Sequence, residues 1–346
     1  MSKKKEEKII LDKTQEIEKN MLKDRAAKLG DITEEMFEKC NKENRDMFDE
    51  YFMANKQLSA ETKKQYITCL RQFFYFVYTD LSDKPFYKIT KRDFIKFMSY
   101  LQGRGLSSSA ISLRKSACSS FCNYVENIVA EDMEEARGFR NFTKGMPAIA
   151  KTKTYEKKPV TEEEYEKMVK YLMQEQKYLP LAWVVTAYNV GARRAELIQF
   201  KTEMLDYKPV EGANYIISHK VRGKGKSEQG KVLEYMIPLQ VLDVWRLWVE
   251  NRGYESDYIF TTKIGDKVKP VSKGWADDLC SGLLSQICGR RINPHIFKST
   301  CITHLLESGK SLTLVSKYVA HHEDVSTTQS FYDLRNFDEE KKNIFD

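Results

Sequence analysis

The chain lacks any stretch approaching the ~18 consecutive apolar residues of a membrane span. Its opening, MSKKKEEKII, runs from lysines into further charges and not into the apolar core of a signal peptide. A soluble, non-secreted, cytoplasmic protein is the expectation. Zinc spacing is missing too: seven cysteines are scattered, Cys118 and Cys122 four apart and Cys280 and Cys288 eight apart, without a Cys-x-x-Cys pair or a Cys/His cluster. Reduced, buried thiols are expected, with no metal and no cofactor. There is no internal repeat. Charge of one sign is not dominant either: 57 Lys and Arg face 50 Asp and Glu, and the net +7 favours a polyanionic partner only weakly.

What is present suffices for folded cores. Hydrophobic residues make up 41% of the 346 and aromatics 12%, and this length predicts two domains. Residues 1–45 are rich in Lys and Glu with apolar residues at helical intervals (Ile17, Met21, Leu22), which predicts one or two exposed helices. That arm is either solvated or an accessory contact to a partner. Residues 46–145 carry helical periodicity and no strand signal. Phe48, Tyr51 and Phe52 open the stretch, and Ser59 caps a helix through Tyr66, Leu70, Phe73, Phe74 and Val77. Thr90 caps another through Phe94, Phe97, Met98 and Leu101, and Ser107 begins a fourth through Ile111, Leu113, Phe121 and Val125. An all-α domain follows from this.

Residues 146–159 combine Pro147 and Pro159 with Lys151, Lys153, Lys157 and Lys158, the composition of a basic linker. Such a linker either lies across phosphates or is merely solvated. Thr161 and Glu164 form a capping box that starts the domain at 160–335. Helices are expected near 161–174, 178–190 and 194–199. β signals follow at Tyr215–Ile217 and at Val232, Tyr235 and Ile237, after which helices resume from Val241. Residues 336–346, NFDEEKKNIFD, form a tail whose Ile344 and Phe345 either fray or dock on a neighbouring protomer. The fold class expected is mainly α with a small β-sheet.

Four motifs carry chemistry. In GARRAEL (191–197) a glycine ends one helix and an arginine pair begins the next, with Arg193 and Glu196 three apart on one face. In HKVRGKGKSEQGKVLEYMIPL (219–239), Gly223 and Gly225 permit sharp turns that leave Lys224 at an exposed hairpin tip. In INPHIFKSTCITHLLESG (292–309), Asn293 caps and Pro294 opens a helix whose first turns carry His295 and Lys298, a cation beside free amide N–H groups that suits phosphate. In VSKYVAHHEDVSTTQSFYDL (315–334) a helix face of Val315, Tyr318 and Val319 leads to His321 and His322, and Tyr332 lies about ten residues on. With 19 tyrosines in the chain, only its neighbours can single out Tyr332.

Taken in order, GxRxxEL, a GKG hairpin, PHxx(R/K)xTxxTHLLESG and a histidine shortly before a tyrosine resemble the tyrosine recombinase (phage integrase) family. The similarity spans about 160–335. The helical stretch, with LSAETKKQYITCLRQFF and GLSSSAISLRKSACSSF, looks like that family's core-binding domain. The resemblance implies a helical core-binding domain plus an α-rich catalytic domain, acting on double-stranded DNA with inverted half-sites, as a dimer on one site and a tetramer in synapsis. It implies attack of Tyr332 on a DNA phosphate, with Arg193, Lys298 and a histidine stabilising the phosphate charge. Lys224 would protonate the leaving oxygen, and His295 would accept or relay the tyrosine proton. Lys151, Lys153, Lys157, Lys158, Arg114 and Lys115 are candidate DNA contacts.

Two features depart from the family pattern. Lys298 stands where a second arginine is usual, and an ammonium lacks the planar bidentate grip of a guanidinium. An extra residue also separates the landmarks around the histidine. Counting forward from Val315 selects His321, whereas counting back from Thr327 and Thr328 selects His322, which is preferred. Phe331 takes the usual place of the nucleophile, leaving Tyr332 one residue late. The alternatives are a DNA-binding protein of this fold with weakened or lost catalysis, and a type IB topoisomerase-like enzyme that relaxes DNA.

Overall fold

The computed structural model describes residues 29–146, 157–225 and 230–335. These fall into two compact units, divided between Met146 and Lys157. Lys151 and Lys153, the apolar residues Ile17, Met21 and Leu22 of the arm, and the tail from Asn336 lie outside the described residues. No helix is long and apolar enough to cross a membrane among the described residues.

The first unit is built on α1 (Glu34–Glu38), α2 (Lys42–Ala54), α3 (Ala60–Asp80), α4 (Lys91–Gly103) and α5 (Ser108–Tyr124). Each begins with a side chain that accepts one of the amide N–H groups a helix start leaves unpaired: Thr33, Asn41, Ser59, Thr90 and Ser107. Thr90 and Asp93 close a full capping box. The core is a phenylalanine cluster. Phe73, Phe74, Phe86, Phe94, Phe97 and Phe121 expose no surface, and Phe86 meets Phe121 edge-on at 4.7 Å between ring centres. One polar residue ties it together. Buried Asn44 on α2 accepts the Phe86 amide at 2.6 Å and donates to the Lys84 carbonyl at 3.1 Å, fixing the loop ahead of α4.

Two expectations are corrected here. Residues 29–45 are not an exposed arm: Phe37 and Cys40 are buried, and Leu29 and Ile32 pack on the same core. Apolar residues spaced for one face find that core available, so the face is covered. Arg114 is not offered to DNA. It is buried, and its guanidinium donates to the Gln72 side chain at 2.9 Å and to the Ala110 carbonyl at 3.0 Å. An arginine at a core-facing helical position turns inward when an acceptor waits there.

The second unit opens with α6 (Glu162–Gln174), started by the Thr161–Glu164 capping box. Then come α7 (Tyr178–Val190), α8 (Arg194–Leu197), β1 (Tyr215–Ile217), β2 (Val221–Gly223), β3 (Lys231–Leu233), β4 (Met236–Pro238) and α9 (Leu239–Asn251). They are followed by β5 (Thr261–Ile264), β6 (Lys267–Pro270), α10 (Lys273–Leu279), α11 (Pro294–Glu307) and α12 (Val325–Phe331). Strand β1 pairs antiparallel with β4 and β2 with β3, Gly223 lying opposite Lys231. Helix α7 is apolar nearly all round and is the axis on which α6, α9 and α11 pack. Trp245 on α9 donates to Thr186 on α7 at 2.7 Å, both fully buried.

The antiparallel β5–β6 hairpin stands where uninterrupted helices were expected after Val241. Its Thr-Thr-Lys-Ile and Lys-Val-Lys-Pro strands show most side chains to solvent, so no apolar alternation announces them. The Gly265 turn between them, at φ +59°, was the available signal.

Replacing Asn44 with alanine leaves a buried amide and a buried carbonyl unpaired, an expected loss of about 2 kcal/mol. Urea unfolding followed by circular dichroism checks this; an unchanged midpoint would show that Asn44 does not tie the core together.

Candidate active site

Helix α7 ends at Gly191 in the left-handed conformation (φ +69°). A Cβ there would stand 3.1 Å from Val319 Cγ1 and 3.2 Å from Cys301 Sγ, so glycine also permits the close approach of the neighbouring segments. The turn places Arg193 just ahead of α8, where the Glu196 carboxylate accepts its backbone N–H at 2.7 Å and its guanidinium at 3.1 Å. Glu196 is only 1% exposed and takes a third bond from the Tyr235 hydroxyl at 2.6 Å. Burial alone would raise the Glu196 pKa, but the Tyr235 bond, Arg193 and Lys298 outweigh it and hold the carboxyl below its usual range. Burial, and then the adjacent Glu196 carboxylate, push the Tyr235 hydroxyl far above the ordinary phenol range.

Asn293 caps α11 by accepting the Ile296 amide, and Pro294 takes its first position. His295 and Lys298 both follow, but with different surroundings: His295 is exposed, while Lys298 has no exposed surface. The Lys298 ammonium donates to the Ala320 carbonyl at 2.9 Å and lies 5.9 Å from the centre of the Tyr332 ring. Burial and then the nearby Arg193 pull its pKa down to about 7, against the opposing pull of Glu196.

A π-helical turn, Val315–Val319, leads into the histidines. Such a turn takes up one residue more than an α turn. Val315 and Val319 are buried as expected, while Tyr318 is exposed. His321 follows at φ +54°, a conformation rare outside glycine and associated with functional turns. Through this turn both histidines enter the site. His321 packs edge-on against Tyr235 at 4.7 Å, and His322 lies 4.6 Å from the Tyr332 ring. His322 Nδ1 is 2.7 Å from the Thr328 hydroxyl, which in turn donates to Ser316 at 2.8 Å. Among the described residues, the buried Nε2 atoms of both histidines have no hydrogen-bond partner. Burial first, and then Lys298, depress each imidazole to about 4.

Tyr332 terminates α12. Its carbonyl accepts the Thr303 hydroxyl at 3.1 Å, and the same hydroxyl accepts the Leu334 amide. Its ring faces His322, Lys298 and Lys157, the last at 5.5 Å, whereas the preceding Phe331 is 57% exposed. Of the two adjacent aromatics, the one displaced by a residue is the one in the cluster. Desolvation by the surrounding protein first, and then Arg194, Arg193, Lys157 and Lys298, hold the exposed His295 imidazole below its ordinary value. Lys224 is exposed at the end of β2 and, among the described residues, has no hydrogen bond to the cluster. Opposite the neighbouring Gly223, Lys231 pairs with Glu323 beside the histidines at 3.3 Å. Lys158 is exposed, and Lys115 is half-buried on α5.

Arg193, Lys298, His321, His322 and Tyr332 are thus brought together from three separated motifs. Tyr235, Thr303, Ser316, Thr328 and Lys231 support the same site without having been anticipated. Tyr235 carried only a strand signal; Thr303 and Thr328 stood in the motifs without a role assigned to them, and Ser316 carried no signal. No cluster of metal-binding side chains exists among the described residues.

The phage integrase family model matches residues 158–337, and the model of the phage integrase N-terminal SAM-like domain matches residues 45–131. The chain belongs to the phage integrase family. The SPbeta prophage-derived recombinase-like protein YomM of Bacillus subtilis (strain 168) is 55% identical over 333 residues, covering 96% of this chain and 99% of its own. A tyrosine recombinase of Pseudothermotoga lettingae is 26% identical over 85% of this chain and 94% of its own. The fold also resembles that of a lambda integrase tetramer bound to a Holliday junction, with TM-score 0.59 and 18% identity over 85% of this chain and 79% of that one. As a member of this family, the protein is a tyrosine site-specific recombinase. Its two units have the helical core-binding and α-rich catalytic architecture of the family.

The depressed histidines set a pH window. Their folded pKa of about 4 lies below the ordinary 6.5, so between those values the unfolded chain binds protons that the folded chain does not. Stability is therefore expected to fall as pH drops from 6.5 toward 4, with this contribution levelling below 4. Urea midpoints measured across that range should decline less steeply in a His321→Gln/His322→Gln variant, and parallel slopes would refute the assignment.

Proposed function

We propose that Tyr332 is the nucleophile of this recombinase and that its oxygen attacks a DNA phosphodiester, forming a 3′-phosphotyrosine and releasing a 5′ hydroxyl. The observation that carries this is the placement of the Tyr332 ring against His322 and Lys298 while Phe331 faces solvent. The phosphate ester energy is kept in the intermediate, so attack by the partner strand's 5′ hydroxyl rejoins the DNA without ATP.

Arg193, anchored by Glu196, and the buried Lys298 would hold the non-bridging oxygens, where fixed cations act most strongly on the charge of the transition state. His322 is the third such group. With Nδ1 tied to Thr328, its unpartnered Nε2 is the nitrogen available to the phosphate. A bound phosphate would raise the depressed pKa values of His322 and Lys298 and favour their donor forms. His321 shares an unpartnered Nε2 but packs on Tyr235, which suits it to the support of the turn. His295, whose imidazole is held below its ordinary value by desolvation and then by its cationic neighbours, can accept the tyrosine proton. Lys224, on its mobile stem at the hairpin end, is the proposed acid that protonates the leaving 5′ oxygen.

The partner is double-stranded DNA with inverted half-sites, bound by a dimer and paired as a tetramer in the cytoplasm. The resemblance to a lambda integrase tetramer on a Holliday junction supports this assembly. Lys158 and the linker lysines Lys151 and Lys153, with Lys115 on α5, would contribute phosphate contacts.

Capture of denaturant-resistant protein–DNA adducts from cells, with sequencing of the attached DNA, tests the nucleophile. Adducts at one recurrent site should persist in Phe331→Leu and vanish in Tyr332→Phe. None with the wild-type protein, despite sound expression, would favour a non-catalytic DNA-binding protein. Binding to the recovered site should weaken steeply with salt, with log K falling by about 0.9 per phosphate contact for each unit of log salt; a salt-insensitive affinity would count against phosphate-dominated binding.

A further inference from the structure

Lys157 is the residue at which the described chain enters the catalytic unit, and its surroundings give it a more specific place than that of a linker cation. Its Nζ donates to the Phe331 carbonyl at 3.1 Å and lies 5.5 Å from the centre of the Tyr332 ring. Phe331 ends α12, and the last carbonyls of a helix have no partner within it. Lysine near a helix end commonly supplies the missing donor.

The backbone that carries this lysine is firmly held. Arg290 donates to the Pro159 carbonyl at 2.8 Å and to that of Lys158 at 3.4 Å, while gripping both oxygens of Glu164 at 2.6 Å. The Val160 amide donates to Thr300 on α11 at 2.8 Å. One turn along the same helix, Thr303 holds the Tyr332 carbonyl. Two consecutive carbonyls, those of Phe331 and Tyr332, are therefore gripped by groups fixed to one frame: Lys157 through residues 158–160, and Thr303 through α11. Those bonds fix the peptide from which the tyrosine side chain springs.

We propose that Lys157 is a positioning residue for the nucleophile: its ammonium holds the end of α12, linking the entry of the chain into the catalytic unit to the presentation of Tyr332. The proposal rests on Tyr332 being the nucleophile. It differs from a phosphate contact, because a lysine that bonds the Phe331 carbonyl acts on the rate of attack, whereas one that bonds DNA acts on affinity.

The test compares wild type, Lys157→Met, Lys157→Arg and Tyr332→Phe on a duplex carrying the sequence recovered from cellular adducts. The duplex is nicked beside the cleavage point so that the released strand diffuses away and the adduct is trapped. Affinity and the single-turnover rate of adduct formation at saturating duplex are measured separately. Lys157→Met should slow the saturated rate by about tenfold or more, as small misplacements of a reacting group do. Its affinity should change little, and Lys157→Arg, which can donate the same bond, should recover most of the rate. An unchanged saturated rate in Lys157→Met overturns the proposal, whether or not affinity falls, and so does an equal loss in Lys157→Arg. Adducts persisting in Tyr332→Phe would instead overturn the nucleophile assignment, and with it the residue that Lys157 is said to position.

Discussion

The site depends on one buried carboxylate. Arg193 and the fully buried Lys298 converge in a part of the fold with little access to water, and two such cations would repel each other strongly without a compensating charge. Glu196 supplies it. Its own burial is tolerated because it accepts the Arg193 backbone, the Arg193 guanidinium and the Tyr235 hydroxyl, which satisfy its lone pairs. The same carboxylate fixes the guanidinium in place, so a single acidic residue both permits the cations and aims one of them.

The balance is nevertheless incomplete on the positive side. One carboxylate faces Arg193 and Lys298, and the two histidines beside them are pushed to about 4 by burial and by Lys298. The protein without DNA thus holds imidazoles that are neutral and an ammonium near its titration point. Under the proposed chemistry, a phosphodiester would supply the negative charge this arrangement lacks. Its arrival would turn groups held in their uncharged or half-charged forms toward charged donors, aimed at the oxygens where the transition state accumulates charge.

Helix α11 gathers several of these functions. Its first turns carry His295 and Lys298; Thr300 holds the chain entering the unit, and Thr303 holds the backbone of Tyr332. Because one helix is rigid over its length, Lys298 and the Thr303 bond to the Tyr332 carbonyl keep a fixed relation. Lys298 also bonds the carbonyl ahead of His321, so the usual arginine is replaced by a residue that supports the histidine turn. A planar fork at this point would meet different steric demands in a fully buried setting.

Much was legible in the amino-acid order because it depends on local rules. The caps at Ser59, Thr90, Ser107, Thr161 and Asn293, the amphipathic periods of the helices and the paired spacing of Arg193 and Glu196 act within a few residues, and the structure places them so. The order of the motifs was enough to point to the family. What only the tertiary structure decided involves residues distant along the chain. The inward turn of Arg114 needed Gln72; the packing of Leu29, Ile32, Phe37 and Cys40 needed the phenylalanine core; and the β5–β6 hairpin formed without an apolar pattern. A π turn and a left-handed residue bring both histidine rings in but set only His322 against Tyr332. Tyr235 and Thr303 became part of the site by contacts 39 and 29 residues away. Local order writes helices and motifs, because their hydrogen bonds close within a turn; a polar site is written by packing, because its partners meet only when the chain has folded.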